Sequence, residues 1–253
     1  MSQLAKKTTT VAPEPPSKTK DLEGSSQAIR TNPSPIAQTL RHAHPALLLA
    51  IFAAAFRPLV ADPVSTMWAS LPVVLSVQAA YTIVCLPPVG SQGVKAARKP
   101  RPGEKKKVDG SGPNFVVTTI VAAVLSALAA VALHVMLVLF GAPFLTHLPH
   151  TFLASLHLSL LGLYPLFYTR GVSNRDWVEI LSARAPVDEA LGGLMGACMG
   201  AWLGAVPIPL DWDREWQKWP VTILCGIYAG YTVGKVIGGT VAFGKRFGDP
   251  EVA

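Results

Sequence analysis

The stretch DEALGGLMGACMGAWLGAVPIPLDWDREWQKWPVTILCGIYAGYTVGKVIGGTVAFG, Asp188 to Gly244, decides the fold. It holds two apolar segments of roughly 20 residues each, the length that crosses a bilayer as a helix. Between them lies the polar, tryptophan-rich connector PIPLDWDREWQKWP (Pro207–Pro220). The first segment carries glycine at every fourth position: Gly192, Gly196, Gly200 and Gly204. The second repeats the spacing at Gly226, Gly230, Gly234 and Gly238. Four residues is just over one helical turn, so each set forms a strip without side chains down one helix face. In lipid, helices associate through close packing, and such a strip lets backbones approach. The pattern predicts a transmembrane hairpin built to be gripped by other helices. Spacing leaves open whether the partner is this chain or another protein.

Working outward, the rest of the chain fits a membrane protein. Half of the 253 residues are hydrophobic and only 15% are charged, against about a quarter charged in soluble domains. The apolar residues come in long blocks, not at amphipathic spacing. They define segments at roughly 43–61, 64–86, 115–140, 151–168, 188–206 and 221–243. The predicted fold is all-α: a polytopic membrane protein of about six transmembrane helices, with a glycine-zipper hairpin at its C-terminal end. Residues 1–41 are rich in Pro, Ser, Thr and Lys and predict a disordered arm. Residues 42–244 form the membrane domain, and 245–253 a short tail. In the polar stretch 169–186, Trp177 with Val178, Ile180 and Leu181 predicts a short helix on the membrane surface.

The net charge of +7 sits in the loops and the arm, which argues against a nucleic-acid partner. Six of the 22 Lys and Arg lie in the arm, seven in loop 87–113, three in the loop after segment four and two in the tail. These 18 share one face if there are six spans. The other face holds only Arg214 and Lys218. Cytosolic loops carry the basic excess, so both termini are expected in the cytosol. Arg57 near the end of segment one can snorkel to the interface or touch a lipid phosphate. Loop 87–113 is a topology signal or a contact for anionic headgroups. Cys85, Cys198 and Cys225 fall inside apolar blocks without metal spacing and read as small core residues.

Candidate chemistry concentrates on the non-cytosolic face. In the connector, Asp211, Asp213 and Glu215 stand with Arg214 and Lys218, and Trp212, Trp216 and Trp219 suit an interfacial belt. This is an interface anchor, a docking epitope, or a carboxylate cluster for a metal. His147 and His150 share a loop with His157 two turns on, forming either a polar site for a metal or phosphate or a set of ordinary hydrogen-bonding histidines. His134 inside segment three requires a polar partner within the bundle. Asp188 and Glu189 can pair with Lys235 across the hairpin and suit a helix N-terminus. No phosphate-cradling loop, zinc motif or nucleophile elbow is present, so the residues call for no cofactor, no metal and no catalytic set.

HTFLASLHLSLLGLYPLFYTRGVS (His150–Ser173), the stretch Asp188–Pro220 and GYTVGKVIGG (Gly230–Gly239) together resemble the PIG-F family of glycosylphosphatidylinositol (GPI) anchor biosynthesis proteins. The resemblance implies a multi-pass protein of the endoplasmic reticulum. It implies a role in adding ethanolamine phosphate to a mannose of the anchor precursor, as the stabilising partner of a large catalytic transferase. The expected contacts are that subunit, the GPI precursor lipid and membrane phospholipids. The positions expected at these interfaces are the eight strip glycines with Trp202, Asp211, Trp212, Asp213 and Arg214. No catalytic residue carries over. Two other readings stay open: direct participation in transfer through Asp211, Asp213 and His147 or His150, and a small lipid or solute transporter.

Overall fold

The computed structural model describes residues 26–91, 114–210 and 212–247. Among these the chain is helical. Helix α1 spans Pro35–Ala61, α2 Pro63–Cys85, α3 Phe115–Leu139, α4 Leu148–Arg170, α5 Asn174–Leu181, α6 Glu189–Ala205 and α7 Val221–Gly239. Six of them, all but α5, are long and apolar enough to cross a membrane.

Side-chain caps set several of the boundaries. Ser34 accepts the Ala37 N–H at the start of α1, Asp62 the Ser65 N–H at the start of α2, and Asn114 those of Val116 and Val117 at the start of α3. Each satisfies a donor the first helical turn leaves free. Pro35 and Pro63 then occupy the first helical positions, where no N–H is needed. Helix α1 begins at Pro35, so the arm expected through residue 41 gives way earlier than expected. Residues 26–34 run as an extended strap with Ser26 and Ile29 buried. Residues 1–25 of the expected arm and 92–113 of the basic loop lie outside the described residues.

Helix α4 is the centre of the bundle: 78% of its span is buried, against 22% for α1 and for α3. Its apolar core is formed with α1, α2 and α7 by Leu48, Leu59, Met67, Val74, Leu153, Leu161 and Ile227, among others. Midway along α4 one wider π turn spans Ser159–Leu163. Pro165 has no N–H to offer the Leu161 carbonyl four residues before it; the Gln78 amide donates to that carbonyl instead, at 3.4 Å. The Ser159 hydroxyl of the same turn donates to the Ser126 carbonyl at 2.6 Å and ties α4 to α3.

The hairpin α6–α7 is the tightest contact in the molecule. A Cβ at Gly192 would strike the Gly234 carbonyl, one at Gly196 that of Gly230, one at Gly200 that of Gly226, and one at Gly204 that of Thr222. The reverse holds from α7: Gly226, Gly230, Gly234 and Gly238 face Gly200, Gly196, Gly192 and the carbonyl of Asp188. Every one of these approaches is closer than 3.0 Å, a distance real Cβ atoms do not show. The two strips therefore cover each other, which answers from within the chain the question that spacing leaves open.

Both ends of the described chain meet at one end of the bundle. The Val187 N–H donates to the Lys245 carbonyl at 2.9 Å, and the Arg246 guanidinium donates to the Ser26 carbonyl. The strap is pinned to the end of α2, where Asn32 donates to the carbonyls of Cys85 and Val84 at 2.8 Å each. At the opposite end lie the Asp62 turn, residues 140–147 and the connector.

Candidate functional site

The polar side chains of the membrane domain gather where the helices approach the terminal end. Asp188 caps α6 through Oδ1, which accepts the Leu191 N–H at 2.9 Å. Its Oδ2 accepts from Arg170 Nη2 at 2.6 Å and from the Ile29 N–H at 3.2 Å. Both members of this ion pair are buried, and Arg170 donates its other arm to the Ser26 hydroxyl. Glu189, one residue on, faces the other way. It pairs with Arg41 Nε through Oε1, and its Oε2 accepts from the Tyr81 hydroxyl at 2.6 Å. Lys235 Nζ lies 3.8 Å from the same oxygen, donates to the Arg41 carbonyl at 3.1 Å and sits 3.9 Å from the centre of the Tyr81 ring. Deeper still, the Tyr231 hydroxyl donates to Gln78 at 3.4 Å, and the buried His44 ring stacks on Tyr81 at 4.4 Å.

This cluster draws on five of the six spans: α1 (Arg41, His44), α2 (Gln78, Tyr81), α4 (Arg170), α6 (Asp188, Glu189) and α7 (Tyr231, Lys235). Ionisable groups at membrane depth are costly alone and persist when paired. Here each carboxylate is saturated by cations and N–H or O–H donors. Such a carboxylate is a poor nucleophile or base and a good clamp. The sequence pointed to Glu189 facing Lys235, and the structure brings them together. Asp188 instead takes Arg170, which the sequence placed in a loop. Arg41 stood in the expected arm. The sequence reading assigns no role to His44, Gln78 or Tyr81, although each is a polar group inside an apolar block, the signal that marks such a site.

The residues expected on the opposite face are not brought together as a set. The His147 and His150 rings lie 5.0 Å apart, and His147 contacts the Thr146 hydroxyl at 2.9 Å. His157 is elsewhere, buried with one ring nitrogen 2.8 Å from the Tyr228 hydroxyl and the other 3.3 Å from the Met67 carbonyl. His134 packs edge-on against Phe152, with Nδ1 unpartnered. Asp211 lies outside the described residues. Asp213 takes a left-handed backbone at φ 51°, and its neighbours Trp212 and Arg214 are exposed. The Trp212 ring meets Trp216 at 5.8 Å, and Lys218 pairs with Glu215 at 3.1 Å. Trp219 Nε1–H donates to Thr151 at 3.1 Å, tying the connector to α4. Among the described residues no three His, Cys, Asp or Glu converge as metal ligands would. Trp202 stands 60% exposed on α6, on the face away from α7, with Met195, Met199 and Leu203.

Six spanning helices, a hairpin closed along two glycine strips and a saturated internal charge cluster define a multi-pass membrane protein whose polar interior holds helices together. Its sequence matches the family model "GPI biosynthesis protein family Pig-F" over residues 43–239. The chain belongs to the PIG-F family. A Neurospora crassa relative, glycosylphosphatidylinositol anchor biosynthesis protein 11, is 53% identical over 87% of this chain and 80% of its own length. A Pyricularia oryzae protein of the same name is 56% identical over 78% of this chain and 74% of its own. The human GPI ethanolamine phosphate transferase stabilizing subunit is 37% identical over 41% of this chain and 49% of its own. No solved structure matches.

Proposed function

We propose that this chain serves GPI-anchor biosynthesis as a non-catalytic subunit of the endoplasmic-reticulum membrane. It binds and stabilises the large transferase that adds ethanolamine phosphate to a mannose of the GPI precursor. The observation that carries the reading is its 37% identity to human and mouse proteins named as stabilizing subunits of that transferase. The saturated charge cluster supports it, because its carboxylates are engaged in holding five helices in register. The strip glycines are occupied within the hairpin, so contact with the large subunit falls on other surfaces. We assign it to the outer face of α6 around Trp202 and to the connector around Trp212, Asp213 and Arg214, with Asp211 beside them. Tryptophan and arginine on an exposed face are the residue types that anchor protein interfaces. Both termini face the cytosol on this reading, which the 18 basic residues on the termini-bearing face support.

The test is an assay of the purified protein in mild detergent with a GPI precursor and an ethanolamine-phosphate donor lipid. The chain alone transfers nothing, and transfer appears when the large subunit co-purifies. Turnover by the chain alone would overturn the assignment.

A further inference from the structure

Beside the charge cluster, at the end of the bundle where the two ends of the described chain meet, the structure holds a cavity of about 220 Å³. It is lined by Ile29, Arg30 and Thr31 of the strap, by Arg41 and Glu189, and by Gly239 and Phe243. The charges around it do not balance. Glu189 is the one carboxylate lining it, and that carboxylate is already shared by Arg41, the Tyr81 hydroxyl and Lys235. Arg30 is exposed at the rim and makes no ion pair or hydrogen bond among the described residues. Among the described lining residues two cations, Arg30 and Arg41, thus stand against a single carboxylate, which buried Lys235 shares from outside the lining. Asp188 does not redress the excess, because it is committed to Arg170 and to the Ile29 N–H.

We propose that this cavity binds a phosphate group, held by the guanidinium of Arg30 and by Nη1 of Arg41, whose Nε and Nη2 are committed to Glu189 and the Gly239 carbonyl, with Thr31 beside them. Guanidinium forks match the oxygen geometry of phosphate. An exposed, uncompensated guanidinium attracts an anion from solution, more strongly at low salt. The volume lies below the roughly 300–1,000 Å³ of pockets that enclose drug-sized ligands. It therefore admits a headgroup while acyl chains stay outside, against the apolar flank formed by Phe243. The same chemistry is presented by a phospholipid of the adjoining leaflet or by free phosphate. This inference does not depend on the proposed role as a transferase subunit.

Two arms separate the sources. In the first, the full chain is placed in phosphatidylcholine nanodiscs with a minor fraction of phosphatidic acid, and lipid retained by the protein is counted by native mass spectrometry. In the second, inorganic phosphate is titrated into phosphatidylcholine nanodiscs alone, and the thermal midpoint is followed. Retention of phosphatidic acid in the first arm establishes a lipid source. A rising midpoint in the second establishes free phosphate. In either, Arg30→Ala weakens the effect about three- to tenfold and Arg30→Glu removes it, while Arg175→Gln, which only opens an exposed pair with Glu179, does not. Because Arg30 is exposed and unpaired among the described residues, both variants keep the unliganded midpoint of the parent. Binding in neither arm, binding indifferent to Arg30→Glu, or an equal loss in Arg175→Gln would each overturn the proposal.

Discussion

Asp188 shows what a single buried carboxylate does in this protein. Its two oxygens cap α6, neutralise Arg170 and hold the Ile29 N–H of the strap. Removing one partner of a buried ion pair strands the other, at a cost of about 3–5 kcal/mol. Asp188→Ala is expected to lose that much, read as a lower unfolding midpoint in detergent. Asp188→Asn retains the cap, since asparagine caps about as well as aspartate, and falls between. An Asp188→Asn midpoint equal to that of the parent would show that Arg170 is not held by Asp188. At this scale the sequence was only partly readable. Glu189 and Lys235 stood out because charges inside apolar blocks are rare. Arg41 and Arg170 did not, because each sits within a few residues of a helix end, where a cation reads equally well as a loop residue. Only the three-dimensional approach of α1, α4, α6 and α7 turns them inward.

Among the elements, the hairpin α6–α7 was the most readable, because a four-residue glycine period has one consequence on a helix. Which surface meets those strips is not a local property, and the structure settles it by laying each against the other. Gly200→Ala or Gly226→Ala places a methyl group on the opposing carbonyl, so the helices must separate. Overpacking of this kind costs about 1–3 kcal/mol. Ala229→Leu, on the exposed face of α7, should stay within about 0.5 kcal/mol. Equal losses at Gly200 and Ala229 in a thermal-unfolding series would refute the close approach. Other features left a weaker local signal. The π turn in α4 precedes Pro165, which withholds an N–H from Leu161, but the donor that replaces it, Gln78, comes from another helix. The early start of α1 depends on the Ser34 cap and Pro35, set within a stretch whose composition reads as unstructured. His157 shares a face with His150 on paper, yet Tyr228 and the Met67 carbonyl claim it.

For the whole molecule, the internal cluster and the mutual cover of the glycine strips leave the outer surfaces available for assembly. Of the basic residues that composition assigns to one face, Arg30, Arg41, Arg170, Arg175 and Arg246 are among those described, and they lie near the end where the two ends of the described chain meet. The account makes this chain a scaffold whose absence is felt by a larger enzyme, and the steady-state amount of the ethanolamine-phosphate transferase subunit tests that most directly. In cells lacking this chain the large subunit should fall severalfold and should recover on re-expression of the parent sequence. A variant with Trp202→Ala and Trp212→Ala should restore it less well. An unchanged amount of large subunit, with transfer activity intact, would contradict the account.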